Sequence, residues 1–312
     1  MESLNKTIQK MMQGRNVAAN MDQIMKQVYA DPEVRAFLNQ HRDRLSAESI
    51  RRGRSKLYEF FHEKQLIKEG KATVAPGYSP QLQLDGGQID VTYVPTQQLI
   101  ERRHQEHLRQ LVNSINMPKF IRQATFDNYY LDDQNATTGR VAAYSAAVEF
   151  VKSYSPDRFQ PGLYLTGSFG VGKTYLLAAT ANALAQRDVA TTMVHFPSFA
   201  VELKNSIRNN NAGEKIDAVK RSPVLMLDDI GADAMSTWVR DDVLGVILEY
   251  RMQEELPTFF SSNFSMAELE KQHLAINSQG VVEPVKAARI MERIEFLSRE
   301  IQMNGENLRK KG

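Results

Sequence analysis

Gly167, Gly170 and Gly172 precede Lys173 and Thr174 in the run Gly167-Ser168-Phe169-Gly170-Val171-Gly172-Lys173-Thr174, which has the spacing G-x-x-x-x-G-K-[ST]. Each residue type has a use there. Glycines let the backbone curl until its N–H groups converge on an anion, and a helix opening at Lys173 adds its positive end and unpaired amides. Lys173 offers a point charge between the β- and γ-phosphates of a nucleoside triphosphate, and the Thr174 hydroxyl offers a magnesium ligand. Residues 167–174, with Tyr175 beside them, are therefore expected to bind ATP and Mg2+. The competing use is a glycine turn before an ordinary helix. Context favours the phosphate site, because the apolar strand GLYLTG (residues 162–167) leads in and a helical run (residues 173–186) leads out.

A second acidic cluster strengthens that expectation. The apolar run PVLMLDD (residues 223–229) ends in Asp228 and Asp229, and ligands of parallel sheets sit beyond the carboxyl ends of the strands. Asp228 is expected in the magnesium shell and Asp229 as the group that polarises an attacking water. A strand and helix (residues 190–207) separate the two motifs, the layout of AAA+ ATPases, in which an added strand lies between the motif strands. Asn263, ending the strand PTFFSSN, would then point at the γ-phosphate; it suits a helix cap as well, since SMAELE follows. Arg289 and Arg293 stand four apart in KAARIMERI on one helix face. Arg289 is the candidate to reach a neighbouring subunit's γ-phosphate, with self-association through this face. On spacing alone, a solvated face pairing with Glu292 or Glu295 serves better.

The elements that position these residues alternate strand and helix: strands at residues 162–167, 190–196, 223–229 and 257–263, helices at 173–186, 199–207, 236–253 and 285–299, and a fifth short strand at 300–303. That rhythm implies an α/β fold with a doubly wound parallel sheet flanked by helices. Before it, Leu4, Ile8, Met11 and Met12, then Met21, Ile24, Met25 and Val28, recur at helical spacing, and Asp31-Pro32 reads as a helix start. PQLQLDGGQIDVTYVP alternates on both sides of Asp85-Gly86-Gly87, a β-hairpin signal. Helical periodicity resumes through Ile100, Leu108, Leu111, Val112 and Ile115. The expected organisation is a smaller, mainly helical N-terminal domain with a hairpin (residues 1–95), a connecting helix (96–117) and the ATPase domain (118–312).

Composition narrows the classes. The 312 residues contain no cysteine, which excludes disulfides, thiolate catalysis and cysteine-based zinc fingers. The net charge of +2 leaves any nucleic-acid role to local patches. Lys204 and Arg208, four apart on a helix, are candidates for contact with single-stranded DNA, although a solvated basic face fits equally. No apolar run nears the ~18–20 residues of a membrane span. The polar start lacks the apolar core of a signal peptide, so a cytoplasmic protein without membrane contact is expected.

With these segments on the page, the chain resembles the DnaC/DnaI family of bacterial replicative helicase loaders, its DnaI branch above all, over nearly its whole length. The resemblance rests on ATFDNYY, GLYLTGSFGVGKTYLLAA, FPSFAVELKNSI, PVLMLDDIGAD, WVRDDVLGVILEYRM, LPTFFSSNFS and VKAARIMERI, and in the N-terminal part on VYADPEVRAFL and APGYSPQLQLDGGQIDVTYVP. It implies that residues 1–117 grip the replicative hexameric DNA helicase, that the ATPase domain self-assembles and touches single-stranded DNA, that Arg289 is the arginine finger and Asn263 the sensor, and that the segment 120–126, ending at Phe126, borders the adenine. Asp229 stands where most AAA+ proteins carry the longer glutamate, so slow hydrolysis suited to a switch is expected. The family's N-terminal zinc ligands are missing: the region carries Ser79 and Val94, and no zinc is expected. An IstB-type transposition helper shares the ATPase domain and is the alternative. A P-loop kinase would show a lid segment with arginines, which is not evident, and a scaffold that binds ATP without hydrolysis would depend on Lys173 but not on Asp229.

Overall fold

The computed structural model describes residues 17–129, 131, 136–207, 209–232, 235–276 and 280–308. The chain divides into two compact units, Met1–His104 and Gln105–Gly312.

In the first unit, helices α1 (Val17–Ala30), α2 (Pro32–Gln40), α3 (Ala47–Arg52) and α4 (Arg54–Lys68) precede an antiparallel hairpin of β1 (Tyr78–Asp85) and β2 (Gln88–Pro95). Asp31 caps α2 by accepting from the backbone N–H groups of Glu33 and Val34, with Pro32 in the first turn. Gly86 and Gly87 take φ of 55° and 82°, the left-handed pair that a two-residue hairpin turn requires. Val28, Phe37, Leu57 and Phe60 of the helices meet Ile89 and Val91 of the hairpin in one small core. Ser79 and Val94 stand directly opposite each other across the two strands.

Helix α5 (Gln97–Leu111) crosses the boundary between the units. It is shorter than its periodicity suggests: Val112–Ile115 leave the helix as strand β3, parallel to β5 (Thr191–His195). Val112 and Ile115 keep a helical interval in sequence, but β-branched residues beside an open strand edge gain more from pairing.

The second unit is a six-stranded, wholly parallel sheet in the order β3-β5-β6-β7-β4-β8, where β4 is Gly162–Thr166, β6 is Val224–Asp228, β7 is Thr258–Ser262 and β8 is Ser298–Gln302. Alternation along the strands builds two cores. Leu163, Leu165, Met226 and Phe259 face α6 (Thr138–Ser153) and α7 (Lys173–Ala185). Tyr164, Leu225, Leu227 and Phe260 face α8 (Phe196–Ile207), α9 (Ala212–Lys220), α10 (Gly245–Gln253) and the later helix α12 (Pro284–Leu297). Burial on both faces explains why these strands read as unbroken apolar runs. The helix expected from residue 236 opens as a π-helical turn, Trp238–Leu244, before continuing as α10. A second π-turn, Leu269–Leu274, follows the short α11 (Met266–Glu268). The sequence periodicity does not mark helices α6 and α9. Among the described residues no helix is long and apolar enough to cross a membrane.

Arg251 of α10 ties the amino ends of β6 and β7 together. Fully buried, it donates to Thr258 Oγ1 (2.8 Å) and to the carbonyls of Lys220 (3.0 Å), Ser222 (2.6 Å) and Pro257 (2.7 Å). Arg251→Ala strands these acceptors and is expected to cost about 3–5 kcal/mol of stability. On a domain of this size that is roughly 10 °C in Tm by calorimetry, and Arg251→Lys, lacking the planar fork, recovers little of it.

Candidate nucleotide site

Because every strand of the sheet runs the same way, β4, β5, β6 and β7 all end at one edge, and their last residues meet there. The loop 167–174 leaves β4 and turns into α7, whose N-cap Gly172 has φ 98°. Gly170 sits at φ 81°, and a Cβ there would overlap the Asn307 amide oxygen. Ser168 and Phe169 are exposed, Phe169 at 66%; Val171 is buried in the core beneath the loop.

Lys173 is 7% exposed. Its ammonium donates to the carbonyls of Gly167 (2.6 Å) and Ser168 (3.0 Å) and to Asn263 Oδ1 (2.8 Å). The Asn263 amide in turn donates to Asp229 Oδ1 at 3.2 Å. Lysine, asparagine and aspartate thus form one chain across β4, β7 and β6. The cap of the helix after Asn263 is Ser265, in a capping box with Glu268, so Asn263 is not spent on capping.

Thr174 Oγ1 donates to Asp228 Oδ1 (2.8 Å), and the hydroxyl of Ser261 donates to the same oxygen (2.6 Å). Ser261 also accepts the Asp229 N–H (2.9 Å), so one β7 hydroxyl supports both aspartates. Consecutive strand residues normally face opposite ways. Asp229 escapes this by adopting φ 62°, which brings its carboxylate to the same edge as Asp228. Burial raises the Asp228 carboxyl above the usual carboxylate range, against the two hydroxyl donors that favour its ionised form, and the Asp229 charge raises it further.

These residues fit a nucleotide and its magnesium. A buried carboxylate beside a threonine hydroxyl is a hard-oxygen pair short of positive charge. Magnesium takes few protein ligands and keeps water and phosphate oxygens for the rest. Thr174 and Asp228 would hold it; the loop amides and Lys173 would hold the phosphates.

On the other side of the loop an aromatic group surrounds the start of α7. Phe126 meets Tyr144 edge-on at 5.5 Å, Tyr129 lies 5.8 Å from Tyr144 and 6.1 Å from Tyr175, and Phe120 stacks on Tyr175 at 6.2 Å. Asn182 pins this segment to α7 by donating to the carbonyls of Ile121 and Ala124, both at 2.8 Å.

Several participants escaped the sequence reading. His195 ends β5 with Nδ1 on Ser198 Oγ (2.8 Å) and Nε2 3.9 Å from Asp229 Oδ2. Ser261, Asn182, Tyr129 and Tyr144 are the others. Only the position of His195 and Ser261 near strand ends marks them, and many strand-end polar residues share it.

Arg289 and Arg293 separate. Arg293 donates to the Gly245 carbonyl (2.9 Å) and pairs with Glu249 (3.0 Å), so it is engaged within the chain. The pairing partner is Glu249 of α10, not Glu292 or Glu295 of its own helix. Arg289 is exposed and makes no hydrogen bond or ion pair among the described residues. Lys204 is exposed on α8; Arg208 lies outside the described residues.

A parallel sheet carrying a phosphate loop and paired aspartates at its carboxyl edge, with the asparagine strand between them, defines an ATP-binding P-loop protein of the AAA+ class. Comparison with known proteins agrees with that class and narrows it. Residues 1–93 match the family described as Primosomal protein DnaI N-terminus, and residues 89–312 match the IstB-like ATP binding proteins. The replicative helicase loader DnaI of Bacillus subtilis (strain 168) is 38% identical over 99% of this chain and 99% of its own. A crystal structure of DnaI is 50% identical, covering 62% of this chain and 98% of the other with a TM-score of 0.56. The crystal structure of the DnaC helicase loader shares the fold at 23% identity and a TM-score of 0.51, covering 60% of this chain and 100% of the other. The chain belongs to the DnaI family of replicative helicase loaders.

Proposed function

We propose that this protein is an ATP-dependent loader. Residues 1–117 grip the hexameric replicative helicase and the ATPase unit delivers it onto single-stranded DNA during replication initiation or restart, in the cytoplasm, with ATP as the switch. The observation that carries this reading is the match to DnaI along both units. The ATPase unit alone also fits an IstB-type helper, and the N-terminal match favours the loader over it.

Within the ATPase unit the loop amides and Lys173 bind the phosphates, Tyr175 and Phe126 border the base, and Thr174 with Asp228 holds magnesium. Bound ATP supplies the phosphoanhydride bond whose cleavage resets the switch. Asp229 orients and deprotonates water, Asn263 relays the state of the loop to Asp229 through the Lys173 chain, and Arg289 completes a neighbouring subunit's site. An aspartate held by Asn263 and faced by His195 is short and already engaged, which supports slow turnover. Lys204 is the candidate among the described residues for DNA phosphate contact.

Lys173→Ala removes the one cation of the loop and is expected to weaken mant-ATP binding about a hundredfold, the loss of charge-assisted bonds worth roughly 2–3 kcal/mol. Fluorescence titration checks it.

The test of the function is light scattering of the full chain with the organism's hexameric replicative helicase, with and without ATP, beside a shortened chain. That chain should begin at Gln105, since a start at Pro118 would strip β3 from the sheet. A complex that needs the N-terminal unit supports the loader. No complex under any nucleotide condition overturns it and favours the transposition-type ATPase.

A further inference from the structure

The last described segment of the chain lies along the phosphate loop. Strand β8 is parallel to β4, so it too ends at the nucleotide edge. Met303, buried in the core, donates its N–H to the carbonyl of Thr166 (2.7 Å), the residue just before the loop. The Asn304 carbonyl then accepts from Thr137 Oγ1 (2.6 Å), the N-cap of α6. Finally the Leu308 N–H donates to the carbonyl of Gly170 (3.0 Å), in the middle of the loop. The segment is so close here that a Cβ at Gly170 or at Gly167 would overlap it. Residues 303–308 thus bond the loop at its entry and at its centre, and anchor it to α6 between.

We propose that residues 303–308 are a positioning strap that holds the phosphate loop in its cradle form before nucleotide arrives, making nucleotide affinity depend on the bond from Leu308 N–H to Gly170. The physical reason is preorganisation. A loop with glycines at 167, 170 and 172 has more backbone freedom to lose on binding than an ordinary segment. Bonds formed beforehand remove part of that cost from the binding step. The strap bonds the backbone of the loop whose amides cradle the α- and β-phosphates, and these bonds do not involve Lys173, which reaches the γ-phosphate. It therefore serves nucleoside diphosphates and triphosphates alike and reads nothing at the γ-phosphate. The inference rests on the nucleotide-site reading above and adds to it a determinant outside the motif.

The experiment titrates the full chain with mant-ADP and mant-ATP and melts it without nucleotide. Leu308→Pro deletes the donor; Leu308→Ala keeps the N–H and removes the side chain. Thr137→Val cuts the second anchor at constant shape, together with the α6 cap bond from the Arg140 N–H. Leu308→Pro is expected to raise Kd for both nucleotides roughly three- to tenfold, the range of one hydrogen bond. Its nucleotide-free Tm should stay within about 2 °C. Leu308→Ala should leave Kd within about twofold, and Thr137→Val should shift it in the same direction as the proline. The proposal is overturned if Leu308→Pro and Thr137→Val both bind as the unaltered chain does, or if Leu308→Ala loses as much as the proline. It also falls if ATP weakens while ADP does not. Failure of the unaltered chain to bind either nucleotide would remove the site reading itself, an outcome distinct from unchanged affinity in the variants.

Discussion

The Asp228→Asn chain is expected to melt higher than the unaltered chain while losing hydrolysis by on the order of 10³-fold. Both effects have one cause. Asp228 is buried beside Asp229 and its carboxyl is raised by that burial. Its ionised form is therefore a cost to the metal-free fold. Thr174 and Ser261 both donate to Oδ1, so an asparagine with its oxygen there keeps both bonds and loses only the charge. The gain should be about 1–2 kcal/mol, or roughly 3–6 °C on a domain of this size. The folded chain holds the Asp228 proton more tightly than the unfolded chain. Stability therefore falls as pH rises from the ordinary carboxylate range through the raised folded value. Melting in EDTA at a series of pH values should show the advantage of the variant shrinking as pH drops through that window. Hydrolysis falls because the amide is a poor magnesium ligand. A variant that melts lower at pH 7 would mean that the second carboxylate oxygen contributes bonding that outweighs its desolvation.

What sequence carried and what it did not divides along a physical line. The phosphate loop, the acidic strand and the hairpin are legible because local chemistry alone specifies them: left-handed φ at glycine, an apolar run, a charge at its end. Residues whose partners arrive from elsewhere in the chain are not. Val112 and Ile115 keep a helical interval, yet β5 offers an open edge and takes them as strand. Arg289 and Arg293 are indistinguishable at i and i+4, and Glu249 from another helix separates them. His195, Ser261 and Asn182 carry no local signature at all; the sheet order places the first two beside the aspartates, and packing places the third under the aromatic segment. The strap is invisible for the same reason, since its acceptors lie on the loop and on the strand before it, well over a hundred residues earlier in the chain.

Arg289→Ala is expected to leave mant-ATP affinity within about twofold and to lower assembly-dependent hydrolysis by on the order of 10²–10³. Among the described residues Arg289 stands on α12 without a hydrogen-bond or ion-pair partner, one turn after the exposed Val285 and close in sequence to the exposed Val281 and Val282. An unpaired arginine beside exposed apolar residues is the composition of an interface centre. The start of the helix is firmly held: the buried Arg240 pairs with Asp241 (2.6 Å) and Glu283 (2.8 Å), and Lys286 pairs with the same two carboxylates. A rigid helix delivering a free guanidinium outward suits action on another subunit better than on its own site. Lysine should not substitute, because a point charge lacks the planar fork that grips phosphate oxygens bidentately. Mixing decides between the two geometries. Lys173→Ala subunits keep Arg289 but cannot hold phosphate, whereas Arg289→Ala subunits hold phosphate but lack the arginine. If the arginine acts in trans, the mixture regains hydrolysis that neither variant shows alone. If each variant stays inactive in the mixture while light scattering shows that they co-assemble, Arg289 serves its own subunit and the interface assigned to α12 is wrong.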